Sequence, residues 1–339
     1  MNQLAPQPTF AHLKRLTTKF GLQEHALIDV PRPEHGYCVD DVARGLILLC
    51  REPELDPTEL AMLELYLDFT LKALSDDGSC HNRMDSQGNW VDEPGTGDWW
   101  GRAMWGLGFA AAHAPSESQR TRAIEGFRIL ARTTSPDLKS LSFAGLGAGE
   151  LLLTYPDEAA ARSILEIVRT RLSRVSSTNW IWPEKRLSYS NGSVAEALIL
   201  IGWVLGDRGT LDRGISMLEF LLEIETRSGH FSVTPTDGRE DDEREVGFDQ
   251  QPIEIAAIAD ACARAFQATG DRRWAVEVER AWSWFLGNND IGVPMFDPET
   301  GGGFDGLHAR GPNMNQGAES TISMLSTAQQ AALVELPAA

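Results

Sequence analysis

Six segments of the chain share one design, a turn-rich polar or aromatic loop that runs straight into an apolar stretch rich in Ala and Gly. They are His35–Arg44 (continuing through Leu46-Ile47-Leu48-Leu49), Gly97–Leu107, Phe143–Gly149 (ending in Leu151-Leu152-Leu153), Ser190–Ile199, Phe248–Ala256 and Asn315–Met324. Their starts recur every ~45–65 residues, which marks a repeated supersecondary unit. Between them lie six segments with apolar residues at helical spacing and charge on the opposite face: Phe10–Phe20, Leu60–Phe69, Ala123–Leu130, Ala160–Leu172, Ile215–Leu222 and Trp274–Phe285. The second series reads as amphipathic helices with one wet face. The first, apolar nearly all round, reads as helices buried on every side.

Twelve helices that alternate exposed and buried are accommodated best as six hairpins in a ring. The expected fold is therefore all-α, an (α/α)6 toroid forming one domain over residues 8–333, with buried helices as an inner barrel. An open solenoid is the rival geometry, but its repeats are more uniform in length. Short β-hairpins are expected in the loops, at Gly229–Thr234 and Trp180–Trp182. The third buried helix offers Gly145, Gly147 and Gly149, which signal close backbone approach or room for a ligand. Trp203, Trp274, Trp282 and Trp284 are expected in the core, and the acidic run Glu240–Glu245 in a solvated loop.

Composition narrows the function. With 30 Lys+Arg against 49 Asp+Glu the net charge is −19, which argues against nucleic acid or an anionic membrane surface as partner. No apolar run reaches the roughly 20 residues of a membrane span. The amino terminus lacks the basic start and apolar core of a secretory signal. Cys38, Cys50, Cys80 and Cys262 are scattered without a Cys-x-x-Cys pair, as expected of reduced thiols in a cytoplasm. His35, His81, His230 and His308 stand at no metal-ligand spacing, so zinc is not expected. An oxygen-ligated calcium or magnesium ion stays open, and no cofactor is called for.

The buried helices break their apolar rule in the first turns only. Asp98 and Arg102, Gln250 and Glu254, and Asn315 and Glu319 are four apart; Asp41 and Arg44, and Ser193 and Glu196, are three apart. Either spacing puts both side chains on one helix face, so carboxylates and guanidiniums should gather at one mouth of the barrel. Each such residue taken singly also reads as a helix N-cap or a plain salt bridge. Trp90, Trp99, Trp100, Trp105, Trp180 and Trp182, with Tyr37 and Tyr189, crowd the same entries. Indole faces beside carboxylates and amides suit a sugar, which has an apolar C–H face and a polar rim. Paired carboxylates suit glycoside hydrolysis, where one protonated acid serves the leaving oxygen and one ionised carboxylate serves water or carbon.

The stretches His35–Arg44, Asp98 with Gly101-Arg102-Ala103-Met104-Trp105, Asp249-Gln250-Gln251-Pro252 and Asn315–Thr321 resemble a bacterial family of the six-hairpin glycosidase-like superfamily. Its members carry glycosyltransferase or unknown-function labels and occur fused to, or encoded beside, glycosyltransferases and mannoside phosphorylases. The resemblance runs from about Phe10 to Met324. More loosely, Trp99–Trp105 is similar to the helix entry of unsaturated glucuronyl hydrolases. The resemblance implies the toroid and a carbohydrate substrate, with a glycosyltransferase as a candidate partner. It also brings Glu184 toward the site, where relatives read Trp-Phe-Glu and this chain has Trp182-Pro183-Glu184.

The expectation is a glycoside hydrolase cleaving an oligosaccharide or bacterial glycan fragment. Asp98 and Asp41 are the leading acid/base pair, with Glu254 and Glu319 as alternatives. Arg44 and Arg102 orient carboxylates or hold hydroxyls. Gln250, Gln251, Asn315 and Gln316 contact hydroxyls, and Trp99, Trp182 and Tyr189 stack on sugar rings. Asp40, Glu184, Asn191, Glu196 and Asp249 complete the binding set. A non-catalytic glycan-binding module that assists a glycosyltransferase is the alternative from another class, and a sugar epimerase is a third reading.

Overall fold

The computed structural model describes residues 9–173, 180–241, 243 and 245–334. Residue 8, at the expected domain start, and positions 242 and 244 of the acidic run lie outside them. The inner helices are α2 (Val39–Arg51), α4 (Asp98–His113), α6 (Leu138–Thr154), α8 (Gly192–Leu205), α10 (Pro252–Thr269) and α12 (Ala318–Val334). The outer ones are α1 (Ala11–Leu16), α3 (Pro57–Lys72), α5 (Glu117–Leu130), α7 (Ala159–Leu172), α9 (Arg208–Glu225) and α11 (Arg273–Phe285). Each inner helix packs on the next, and α12 returns to α2, so the ring closes. This is the expected (α/α)6 toroid.

Several outer helices begin differently from most of the inner ones. In α3 the Asp56 carboxylate accepts the Glu59 N–H at 2.9 Å and the Glu59 carboxylate accepts the Asp56 N–H at 2.8 Å, with Pro57 following. In α5, Ser116 and Gln119 form the same reciprocal box. These are self-sufficient starts. By contrast α4, α6, α8 and α10 have no side-chain cap of their own. Their first turns face the charged end of the barrel instead, and the acids there are not N-caps.

The glycines of α6 do one of the two things expected of them. A Cβ on Gly147 would stand 2.1 Å from the Met104 carbonyl oxygen, and one on Gly108 would stand 2.1 Å from that of Gly147. The backbones of α4 and α6 therefore touch, with no room for a side chain between them.

Among the described residues ten short strands form five antiparallel pairs: Ala26–Leu27 with Val30–Pro31, Tyr37–Cys38 with Arg83–Met84 across the α2–α3 hairpin, Thr226–Arg227 with His230–Phe231, Phe296–Asp297 with Gly302–Gly303, and Gly306–His308 with Gly311–Asn313. The third contains the Gly229 turn read from sequence, with Gly229 at φ 88°. Trp180–Trp182 forms no strand. The first amphipathic segment is helical over Ala11–Leu16 only, because Thr17 is already extended and pairs with Leu22. Trp274 and Trp284 are fully buried, but on outer helix α11 rather than inside the barrel, and Trp203 is 38% exposed. Among the described residues no helix is long and apolar enough to cross a membrane.

Candidate active site at the barrel mouth

Because an outer helix returns the chain between each inner helix and the next, all six inner helices run parallel. Their first turns meet at one end and are tied together by polar side chains. On α2, Arg44 Nη2 lies 2.6 Å from Asp40 Oδ1, 2.7 Å from Asp41 Oδ1 and 3.0 Å from Glu319 Oε2 of α12. On α4, Arg102 stands 3.8 Å from Asp40 Oδ1 through Nε and 3.5 Å from Ser190 Oγ through Nη2. On α10, the Glu254 carboxylate accepts the backbone N–H groups of Ser190 and Asn191 and the Asn191 side-chain amide. On α6, Lys139 Nζ donates to Asn191 Oδ1 at 3.2 Å.

Asp41, Asp98, Glu254 and Glu319 are thus at one end of the barrel, but they are not equivalent. Glu254 spends both oxygens on the entry to α8 and holds Ser190 in the left-handed region, at φ 47°. That conformation is uncommon for a residue with a Cβ, and Glu254 fixes it. Asp41 is wedged between the Cys38 thiol, which donates to it at 3.2 Å, and Arg44. Glu319 remains 41% exposed. The side chain of Asp98, at the first position of α4, makes neither a hydrogen bond nor an ion pair among the described residues and is half-buried.

Their electrostatics separate them further. Burial pushes the Asp41 carboxyl up to about 7 against the pull of Arg44, and pushes Glu254 up to about 6 against Lys139 and its hydrogen bonds. Burial also raises Asp98, with Arg102 opposing. Asp40 goes the other way: burial would raise it, but Arg44 and Arg102 together hold it below the usual carboxylate range. Carboxylate oxygens of Asp40, Asp41 and Glu319 lie within 4.8 Å of one another, the kind of set that can hold a divalent cation. Here the positive charge among them is Arg44.

A narrow pocket continues from this mouth into the barrel. It is lined near the top by Arg44, Arg102, Trp105, Ser190 and Ser193, and at its base by Arg51, Asp260 and Ser326. Below it lies a second charged cluster. Arg51 Nη2 is 3.2 Å from Asp260, Arg264 pairs with Glu150, and His113 Nε2 is 3.0 Å from Glu150. Glu196 belongs here, 3.7 Å from Arg264 Nε, and not at the mouth. The reason is depth: a Cβ on Gly192 would lie 2.2 Å from the Ala257 carbonyl oxygen, so α8 starts more than a turn below α10. Burial, with Asp260 next, pushes Glu196 up to about 8.

Several other expected binders turn elsewhere. Gln250 donates to Asp290 Oδ2 at 2.6 Å and to the Gly247 carbonyl. Gln316 is fully buried and accepts from the Thr300 hydroxyl, and Asn315 accepts the Ile28 N–H. These three pin loops. Asp249 is half-buried, 3.7 Å from His308 Nε2, and Gln251 is half-buried at the start of α10. Trp99 folds back over Gly95 and Gly97 and donates to the Cys80 carbonyl at 2.8 Å. Trp182 is fully buried, whereas Tyr189 is 38% exposed. Glu184 has a buried carboxylate oxygen without a hydrogen-bond partner.

Two residues of the mouth escaped the sequence reading. Ser190 opens the fourth loop-to-helix segment with no charge to single it out. Lys139 was missed because α6 begins at Leu138, five residues before the apolar run at Phe143.

No family model matches the chain, and no curated protein matches it. Among solved structures it is similar to a sugar epimerase from a ruminal bacterium (12% identity, TM-score 0.71, covering 93% of this chain and 94% of that one). It is similar also to cellobiose 2-epimerase from Bacillus thermoamylovorans (12%, TM-score 0.72, 97% and 96%) and to a wild-type glycosidase (15%, TM-score 0.60, 95% of each). The chain shares the six-hairpin glycosidase-like fold with both kinds of protein.

Proposed function

We propose that the barrel mouth is the active site of a carbohydrate-active enzyme, a glycoside hydrolase in which Asp98 is the general acid and Asp40 the ionised partner. The observation that carries this is the opposed environment of two carboxyls around one guanidinium. Asp98 is raised by burial and lacks an ion pair; Asp40 is lowered by Arg44 and Arg102. Carboxyls whose surroundings drive them apart divide into acid and base. In the reaction, Asp98 gives its proton to the glycosidic oxygen as the C1–O bond breaks. The carboxylate takes a proton from the water that adds to C1. Relative to the sequence expectation, Asp40 replaces Asp41: both oxygens of Asp41 are engaged, by Arg44 and the Cys38 thiol, whereas Asp40 meets Arg44 and Arg102 through Oδ1 alone.

The test is a panel of oligosaccharides and aryl glycosides read by reducing-end release. Asp98→Asn and Asp40→Asn should each lose at least about 100-fold in turnover while keeping sugar binding. Retention of turnover in Asp98→Asn would overturn the assignment.

A second reading, sugar epimerase or isomerase, draws support from the higher TM-scores of the epimerases and from groups near neutrality, Asp41 at about 7 and Lys139 at about 8. Incubation of free sugars in deuterium oxide separates the two: isomerisation by proton abstraction introduces deuterium beside the carbonyl, whereas hydrolysis does not. A binding module predicts neither. Co-purification with a glycosyltransferase tests the partner implied by the sequence resemblance. The four cysteines are buried and unpaired, which supports the proposal of a reducing, cytoplasmic location.

A further inference from the structure

Among the described residues, Lys139 and Arg102 are the two buried cations of the mouth that lack a close counter-charge. Lys139 is 5% exposed and Arg102 is 3% exposed. Arg44, by comparison, has three carboxylate oxygens within 3.0 Å. The Lys139 ammonium has three protons and one acceptor, Asn191 Oδ1 at 3.2 Å, and no carboxylate within ion-pair distance among the described residues. Arg102 has only the distant Asp40 oxygen at 3.8 Å, a long contact to Ser190, and an Nε that is buried without a hydrogen-bond partner. Its guanidinium rests on an aromatic face, which attracts a cation without accepting a hydrogen bond in the plane.

The two are close enough to repel each other, and burial drives both down, Lys139 to about 8 and Arg102 to about 10. The carboxylates around Lys139 do not relieve it. Glu254 is spent on Ser190 and Asn191, Asp98 is driven toward its neutral form by burial, and Glu184 lies beyond ion-pair distance. The ring that Lys139 overlies at 5.8 Å, Trp182, carries another buried N–H with no acceptor. This corner therefore holds three donor groups short of acceptors, on Lys139, Arg102 and Trp182, and the unpartnered Glu184 oxygen stands beyond ion-pair distance of Lys139. Buried donors without acceptors are costly unless a ligand supplies them, and a planar guanidinium beside an ammonium is the pairing that carboxylates and phosphates accept best.

We infer that Lys139 and Arg102 form a docking point for an anionic group on the sugar, a carboxylate or a phosphate, at the side of the mouth made by α4 and α6. The inference rests on the reading of the mouth as a sugar site and adds the substrate's charge to it. The chain's net charge of −19 makes an anion pocket here a local exception to the surrounding surface, so selection for an acidic sugar comes from these two side chains.

The test uses the purified full chain and three probes, D-glucuronate, glucose 6-phosphate and D-glucose, followed by titration calorimetry and by thermal shift. At least one anionic sugar should bind about tenfold or more tightly than glucose, the equivalent of one charge-assisted contact. Lys139→Gln should erase that preference, and Lys139→Arg should keep it. Glucuronate alone identifies a carboxylate, and glucose 6-phosphate alone a phosphate. If Lys139→Gln does not fold, the wild-type preference and its loss at high salt decide the matter. Glucose binding as tightly as both anions, failure of both anions at millimolar concentration, or a preference that survives Lys139→Gln would each overturn the docking point. Turnover of neutral oligosaccharides by a protein that ignores both anions would leave the hydrolase standing without it. Lys139-dependent anion binding without turnover of any glycoside would do the reverse.

Discussion

The guanidinium carbon of Arg102 lies 3.6 Å from the centre of the Phe143 ring. Phe143 is four residues after Lys139 on α6, so one turn of that helix supplies both the second cation and the surface that steadies the first. Trp105 stacks on the other partner, its ring centre 6.1 Å from that of Phe143 and nearly parallel to it. Replacing Phe143 by Leu keeps an apolar side chain but removes the π face, worth about 2 kcal/mol when desolvated. Sugar affinity should fall by about tenfold or more, measured by calorimetry. An unchanged affinity would mean that Arg102 is held by something else.

In the cluster below the mouth, Arg264 neutralises Glu150 and approaches Glu196. Arg264→Met leaves Glu150 buried with only His113 beside it. Breaking such a pair from one side costs about 3–5 kcal/mol, readable as a drop in the urea midpoint. The double substitution of Arg264 and Glu150 by Met should recover much of that loss, since it removes both charges together.

Glu225 gives a pH signature. It is fully buried, accepts from the Thr234 backbone and hydroxyl, and is raised by burial, with Glu254 next, from 4.5 to about 8. Between those values the native state holds a proton that the unfolded chain has released. Its contribution is complete below the unfolded value and fades as pH rises through about 8. Asp41 and Glu196 have the same sign, whereas Glu150, held near 2 by Arg264 and His113 against burial, has the opposite one at acid pH. Urea denaturation at about pH 5 and about pH 9 should find Glu225→Gln more stable than the wild type at the alkaline end only. A parallel offset at both pH values would rule this group out.

The α4–α6 contact offers a packing test. Gly147→Ala puts a methyl where the Met104 carbonyl oxygen stands and must push the two helices apart. Overpacking of this kind costs about 1–3 kcal/mol. Arg102 and Lys139 sit on those two helices, so anion binding should weaken along with stability.

The alternation of wet and dry helices was legible because periodicity reports burial directly, and the ring follows from it. The first-turn acids were legible because they interrupt an apolar pattern. Depth along the barrel was not. Ser193 and Glu196 share a face with the same spacing as Asp41 and Arg44, yet α8 begins lower than α10 and carries Glu196 into the deeper cluster. Side-chain aim was not legible either: Gln250, Gln316 and Asn315 are the amides a sugar site would use, and they hold loops instead. Lys139 was hidden because Leu138-Lys139-Ser140 reads as loop, and only the Asp137 before it hinted that a helix starts there.

The parallel run of the six inner helices has one more consequence. Each helix presents the positive pole of its peptide dipoles, about half an elementary charge, at the mouth. Six such poles converge in a space already holding Arg44, Arg102 and Lys139. The backbone is thus an electrostatic partner of every acid there. It steadies ionised oxygens without offering a proton, and it repels any cationic intermediate that lacks a carboxylate beside it. A chain built this way must keep its acids where chemistry develops positive charge, whichever sugar it receives.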